Sequence, residues 1–148
     1  MSMISASQVK ELREKTGLGL MDCKKALQEA NGDIDLAIEE LRKTSGIKAS
    51  KKSGRSAADG LIGIEIQDQN IFMVEVNCET DFVARDDSYI SFTKEVLEIY
   101  SKNPDMSLEQ LLETGIEDSR ERLVQKLGEN IIIRRMAKTD NSSTIGSY

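Results

Sequence analysis

The 148-residue chain contains no histidine. That absence removes the Ser-His-Asp triad, the Cys-His pair and every imidazole-based metal site. Its two cysteines, Cys23 and Cys78, are too few for a zinc cage, and a single bridge would not make a disulfide framework. Reduced thiols are therefore expected. Apolar runs such as Ile131-Ile132-Ile133 are far too short to span a bilayer. Met1-Ser2-Met3-Ile4-Ser5 shows neither a charged leader nor an apolar h-region, so no secretion signal is read and a cytoplasmic location is expected. A basic excess is missing as well. With 20 Lys plus Arg against 26 Asp plus Glu, the formal charge is −6, the wrong sign for a general nucleic-acid binder. These absences predict a protein that does no bond chemistry, with no catalytic residue, no metal site and no cofactor.

What is present suffices for a core. Hydrophobic residues make up 39% of the chain and charged ones 31%, too apolar for wholesale disorder. Charge divides the chain in three. Residues 1–45 are nearly neutral, residues 46–60 carry 4 basic side chains against 1 acidic, and residues 61–148 carry 9 against 17. The middle stretch around Lys48, Lys51, Lys52 and Arg55 is small, polar and basic, and reads as a flexible linker between two folded units. It lacks the interleaved aromatics that stack bases.

Residues 1–45 carry three helix signals. Ser5 and Gln8 form a capping box, with Ile4 placed to staple onto Val9, and Gly17 stands where a left-handed C-terminal residue belongs. A second helix is expected from near Met21 to Ala30, burying Cys23, Ala26, Leu27 and Ala30, and stopping at Asn31-Gly32. Asp33 can cap a third, with Ile34, Ala37, Ile38 and Leu41 inward and Ser45-Gly46 as its stop. Three short helices in so small a unit suit docking better than catalysis.

Residues 61–148 begin with alternation. Ile62, Ile64 and Ile66 share one side of a strand, Asp68-Gln69-Asn70 is a turn signal, and Ile71 to Val76 is a second strand, giving an antiparallel hairpin. Ser88 can open a helix with Ile90, Thr93, Leu97 and Tyr100 along one face, broken at Asn103-Pro104. Ser107 and Gln110 form another capping box, with Met106 and Leu111 as its staple. A helix near Ser119–Leu127 ends at Gly128, and Asn130–Ala137 is β-branched enough for a third strand. The fold class is α+β: a three-helix bundle, a basic linker, then a small antiparallel three-stranded sheet packed with helices. The tail from Asn141 to Tyr148 reads as frayed.

Two segments carry functional weight. In Glu75-Val76-Asn77-Cys78-Glu79-Thr80-Asp81-Phe82-Val83-Ala84, a carboxylate and a large ring follow a strand end. Pattern alone favours Phe82 folding into the core while Asp81 caps a turn; an exposed ring beside an acid would instead suit a partner's pocket. The second segment is the apolar loop Leu18-Gly19-Leu20-Met21, part of which is interhelical packing and part a contact surface.

Together these segments resemble the bacterial-type elongation factor Ts family, the nucleotide-exchange factors of elongation factor Tu. The first family signature stands here as Leu12-Arg13, Thr16-Gly17, Asp22 and Lys24-Lys25-Ala26-Leu27, and the second as Glu75 to Ala84. Ala30-Asn31-Gly32-Asp33-Ile34 and Gly128-Glu129-Asn130-Ile131 are also similar to family segments. The resemblance covers nearly the whole chain in order. It implies a helical N-terminal domain over 1–45, similar to ubiquitin-associated (UBA) domains, a linker over 46–60, and a dimerisation-type α+β core subdomain over 61–148. Members usually continue beyond the Gly146-Ser147-Tyr148 position into more core and often a second core subdomain, the part that grips the far domain of elongation factor Tu.

The resemblance further implies guanine-nucleotide exchange on GDP-bound elongation factor Tu. Asp81 and Phe82 would intrude beside the partner's Mg²⁺ and phosphate site, supported by Thr80 and Val83, while Leu18, Gly19, Leu20 and Met21 dock the N-terminal unit. The partners that the resemblance implies are elongation factor Tu, GDP-bound and nucleotide-free, with a homodimer as a further option, and no membrane or direct nucleic acid is expected. The main rival is a UBA-like binding module without exchange activity, for ubiquitin or another helical partner. An enzymatic rival rests on Asp81, Asp86 and Asp87 as a Mg²⁺ or acid–base cluster, or on Cys78 as a nucleophile; helix capping explains the acids more simply, and nothing in sequence lowers the thiol's pKa.

Overall fold

Ser5 starts the first helix as the sequence requires. Its hydroxyl accepts from the Gln8 amide while the Gln8 side chain accepts from the Ser5 amide, and α1 spans Ala6–Thr16 up to Gly17 at φ 70°. In this computed structural model, which describes residues 3–140 and 145–148, α2 covers Leu20–Glu29 and α3 covers Ile34–Lys52. Asn31 and Gly32 both take positive φ between α2 and α3, and the Asp33 carboxylate caps α3 by accepting from the Leu36 amide at 3.0 Å. Leu12, Leu18, Cys23, Ala26, Leu27, Ala37 and Leu41 form the shared core, with Ile4, Ile34 and Ile38 packed at its edge.

The third helix does not stop at Ser45-Gly46, and residues 46–52 are not a flexible linker. The buried stripe Leu41, Ser45, Ala49 continues at helical spacing and is small for a reason. A later helix, α7 (Glu117–Leu127), lies against it so closely that a Cβ on Gly46 would sit 3.1 Å from the Glu121 carboxylate. Ser45 donates to the Gln125 side-chain carbonyl, and Lys52 Nζ donates to the Gly128 carbonyl at 3.0 Å. The two compact units are accordingly Met1–Gly54 with Asp118–Gly128, and Arg55–Glu117 with Glu129–Tyr148, rather than 1–45 and 61–148 either side of a linker.

In the second unit, β1 (Asp59–Gln67), β2 (Asn70–Cys78) and β3 (Ile132–Asp140) form an antiparallel sheet in the order β1-β2-β3. β2 is central, and its Phe72, Val74, Val76 and Cys78 are buried. Arg134 is the extra residue of a bulge opposite Glu75 and Val76, and its guanidinium donates to the Asn77 side chain at 2.8 Å. A Cβ on Gly60 would meet the Val76 carbonyl oxygen at 2.1 Å, so β1 can approach β2 there only without a side chain. After β2 come a four-residue helix α4 (Asp81–Ala84), α5 (Asp87–Lys102) and α6 (Leu108–Leu111).

α5 covers the inner face of the sheet through Tyr89, Phe92, Thr93, Val96, Leu97 and Tyr100. Its N-cap is Asp86 rather than Ser88: the carboxylate accepts the Ser88 amide at 2.8 Å, reaching two residues on where a serine hydroxyl would start the helix later. Tyr100 meets Phe72 edge-on at 5.5 Å between ring centroids. The capping box at Ser107 forms as expected, and a turn over Leu112–Ile116, with Gly115 at φ 90°, leads to α7. The alternating row Ile62, Ile64, Ile66 faces outward and is exposed. The opposite row of β1, which pairs with Phe72, Val74 and Val76, is Leu61, Gly63 and Glu65. The part of the expected frayed tail at 141–144 lies outside the described residues.

Candidate functional site

The corner joining β2 to α4 presents Phe82 to solvent. The ring is 81% exposed, so the expectation that it folds into the core is overturned. α4 follows β2 after Glu79 and Thr80, its inward position is taken by Ala84, and Phe82 falls on the outward side of that one turn. Thr80, not Asp81, is the N-cap, with its hydroxyl accepting from the Val83 amide. Asp81 sits in the first turn, exposed, 3.1 Å from Arg85, a surface pair that contributes little to stability.

Sequence reasoning missed what holds this corner. Glu129 Oε2 accepts from the amides of Glu79 at 2.9 Å and Thr80 at 3.0 Å, and Oε1 accepts from the Thr80 hydroxyl at 2.6 Å. In return the Glu79 carboxylate accepts from the Asn130 amide at 2.7 Å. The Cys78 thiol donates to the Thr80 carbonyl at 3.1 Å, and the Tyr89 hydroxyl donates to the Val76 carbonyl. The available signal was Gly128-Glu129-Asn130-Ile131, a family-like segment with no obvious role: a carboxylate just before a buried strand start requires donors.

The N-terminal loop divides. Leu18 is 2% exposed and belongs to the core of its unit, whereas Leu20 is 53% and Met21 72% exposed. Gly19 is the N-cap of α2, without a side chain to cap it. Leu18 is drawn in by packing among the apolar side chains of the helices, and its amide donates to the Thr16 hydroxyl at 3.3 Å. Only Leu20 and Met21 of the four thus form an exposed apolar surface.

The remaining chemistry-bearing groups are engaged elsewhere. Asp86 caps α5 and Asp81 pairs with Arg85. Among the described residues, no group of three or more Cys, Asp or Glu side chains is arranged to hold a metal ion. Cys23 and Cys78 are free and buried. Burial pushes both thiols above their ordinary range, the opposite of what a nucleophile needs. No helix among the described residues is long and apolar enough to cross a membrane.

The family model described as Elongation factor TS matches residues 79–148, a range that begins at the Glu79–Phe82 corner. Curated relatives named Elongation factor Ts include those of Hahella chejuensis, 52% identical, and of Marinobacter nauticus and Salmonella enteritidis, each 51% identical. Each alignment takes in all of this chain and 52% of the relative, so the chain spans about half the length of the curated relatives it matches. Along its whole length, the chain is similar to about half of each of these curated proteins named Elongation factor Ts, and over residues 79–148 to the family model.

Proposed function

We propose that this chain is a guanine-nucleotide exchange factor that binds GDP-bound elongation factor Tu during translation elongation in the cytoplasm. The observation that carries this reading is Phe82, a large ring held in solvent on a corner whose backbone is pinned. An exchange factor needs no acid, base or nucleophile, so the chain is not an enzyme in the bond-making sense. It has to bind the nucleotide-free partner more tightly than the loaded one, and linkage makes the effect reciprocal: nucleotide then expels the factor. Each tenfold loss of nucleotide affinity requires about 1.4 kcal/mol of differential contact.

In this reading Phe82 wedges into the partner's nucleotide domain and displaces the elements that support Mg²⁺. Asp81 brings negative charge and acceptors to the same place, and Thr80 and Val83 fix the turn. Leu20 and Met21 dock the first unit elsewhere on that domain. The test is release of a fluorescent GDP analogue from elongation factor Tu. Strong acceleration by the chain, lost in Phe82→Ala, supports exchange; binding without acceleration would leave a docking module.

The outward row Ile62, Ile64, Ile66, continued by half-buried Ile71 and Met73 on β2, supports a homodimer built on this face. Contiguous apolar surface of this kind marks interaction sites in soluble proteins. Sedimentation equilibrium of the chain and of Ile64→Lys is the check: a dimer that becomes a folded monomer on substitution supports the reading, and a monomeric unsubstituted chain ends it.

A further inference from the structure

An exposed phenyl ring is driven toward any apolar surface within reach, because water gains by its burial. Phe82 has too little contact of its own to resist that, so what keeps it outward must act on the backbone beneath it. We propose that Glu129 is the positioning residue that holds Phe82 outward; as a role in nucleotide release, this rests on the exchange reading above.

Three donors from two successive residues converge on the Glu129 carboxylate: the amides of Glu79 and Thr80 and the Thr80 hydroxyl. Hydrogen bonds to an ionised acceptor are stronger than neutral ones, and together they fix both the position and the orientation of the peptide entering α4. The Thr80 hydroxyl passes the constraint on. While it donates to Glu129 it accepts from the Val83 amide, so the lock reaches to both sides of Phe82. The clasp is reciprocal, since Glu79 accepts from the Asn130 amide. Two chain segments about fifty residues apart therefore hold each other through one carboxylate apiece. Arg55, 3.6 Å from Glu79, offsets part of the paired negative charge. The Asn130 side chain, 1% exposed, donates to the Arg55 carbonyl at 2.8 Å, so the segment carrying Glu129 is itself fixed.

The chain has no tryptophan, so Phe82→Trp makes a single-site reporter. With Glu129 intact, the indole should be freely quenched by acrylamide; adding Glu129→Ala should cut quenching by about half as the ring collapses onto the surface. In the same variant without the reporter, the Glu79 and Thr80 amides should lose about tenfold or more of their hydrogen-exchange protection, while Val74 and Val76 in the central strand keep theirs. Glu129→Gln should restore both readouts in large part. Its carbonyl oxygen can take the two amides, and its NH₂ can donate to the Thr80 hydroxyl oxygen.

In nucleotide release, Glu129→Ala should lose about tenfold at saturating factor. In a Phe82→Ala background it should cost less than about twofold further, because both act at one point. Unchanged quenching and protection in Glu129→Ala overturn the proposal, as does an undiminished tenfold loss in the Phe82→Ala background. An unsubstituted chain that fails to accelerate release overturns the exchange reading instead, and the quenching and amide readouts still decide whether Glu129 holds the ring.

Discussion

Two exposed apolar turns, one in each compact unit, are supported in opposite ways. At the start of α2, Leu20 and Met21 stand above Leu18, which is buried in the helical core; the anchor is apolar, and the cap at Gly19 offers no side-chain bond. At the end of β2, Phe82 stands above Glu129 and Thr80, and the anchor is a polar clasp with defined directions. An apolar anchor fixes a residue's depth while leaving the neighbouring flexible side chains free to adapt, which suits methionine. Directed hydrogen bonds fix orientation as well. In the proposed exchange reading, the first arrangement serves as the docking surface and the second as the wedge that enters at one angle.

The sharpest way to break the comparison is to remove each anchor or tip and ask what fails. Leu18→Ala removes a fully packed side chain and should destabilise the first unit by about 2–5 kcal/mol, read as a lower midpoint in urea unfolding. Phe82→Ala removes a tip that hardly touches its own fold. Its unfolding midpoint should match that of the unsubstituted chain, while stimulated GDP release drops roughly thirtyfold, the effect of a hot-spot residue worth about 2 kcal/mol. If Phe82→Ala instead unfolded, the ring would be structural and the contrast with Leu18 would vanish.

Much of this arrangement was legible in the sequence, and the parts that were not share a cause. Both Ser capping boxes, the Asp33 cap, the Gly17 and Gly128 ends and the hairpin at Asp68 were readable because each is decided by neighbours in sequence. The extension of α3 through Lys52 was not. Ser45, Gly46 and Ala49 look like a linker until α7, some seventy residues later, turns their smallness into close packing. Phe82 was open for the same reason, since its exposure depends on how α4 leaves the sheet. Glu129 was invisible as a site residue because its three donors lie about fifty positions away. Local chemistry sets the elements, and contacts distant in sequence choose which faces are buried.

The two anchors should also respond differently to alkali. Beside the polar clasp, burial pushes the Tyr89 hydroxyl far above its ordinary range, and the neighbouring Cys78 thiol raises it further. The proton is thus held more tightly in the folded state than in the unfolded one. The resulting stability is complete below the unfolded tyrosine's pKa of about 10 and is lost as pH rises above it. Buried thiols in both units, Cys23 and Cys78, add a similar loss beginning near pH 9, so the difference between units rests on the tyrosines of the second, Tyr89 foremost, with Tyr100 also raised by burial. Tyr89→Phe should cost about 1 kcal/mol at neutral pH through the lost bond to Val76. It should also flatten the decline above pH 10, measured as urea midpoints across pH 7–11.

The smallest effect belongs to the other tip. Met21→Ala leaves Leu18 and the helical core intact, so the thermal midpoint should not move. Affinity for elongation factor Tu should weaken by no more than about fivefold, under about 1 kcal/mol, with maximal release at saturating factor unchanged. Met21→Leu should behave like the unsubstituted chain, because an adaptable surface accepts another flexible apolar side chain. Phe82 should not tolerate the equivalent exchange: Phe82→Leu keeps an apolar tip yet shortens the wedge, and should lower maximal release rather than affinity. Should Met21→Ala lower maximal release while Phe82→Leu changes only affinity, the assignment of docking to one turn and wedging to the other would be reversed.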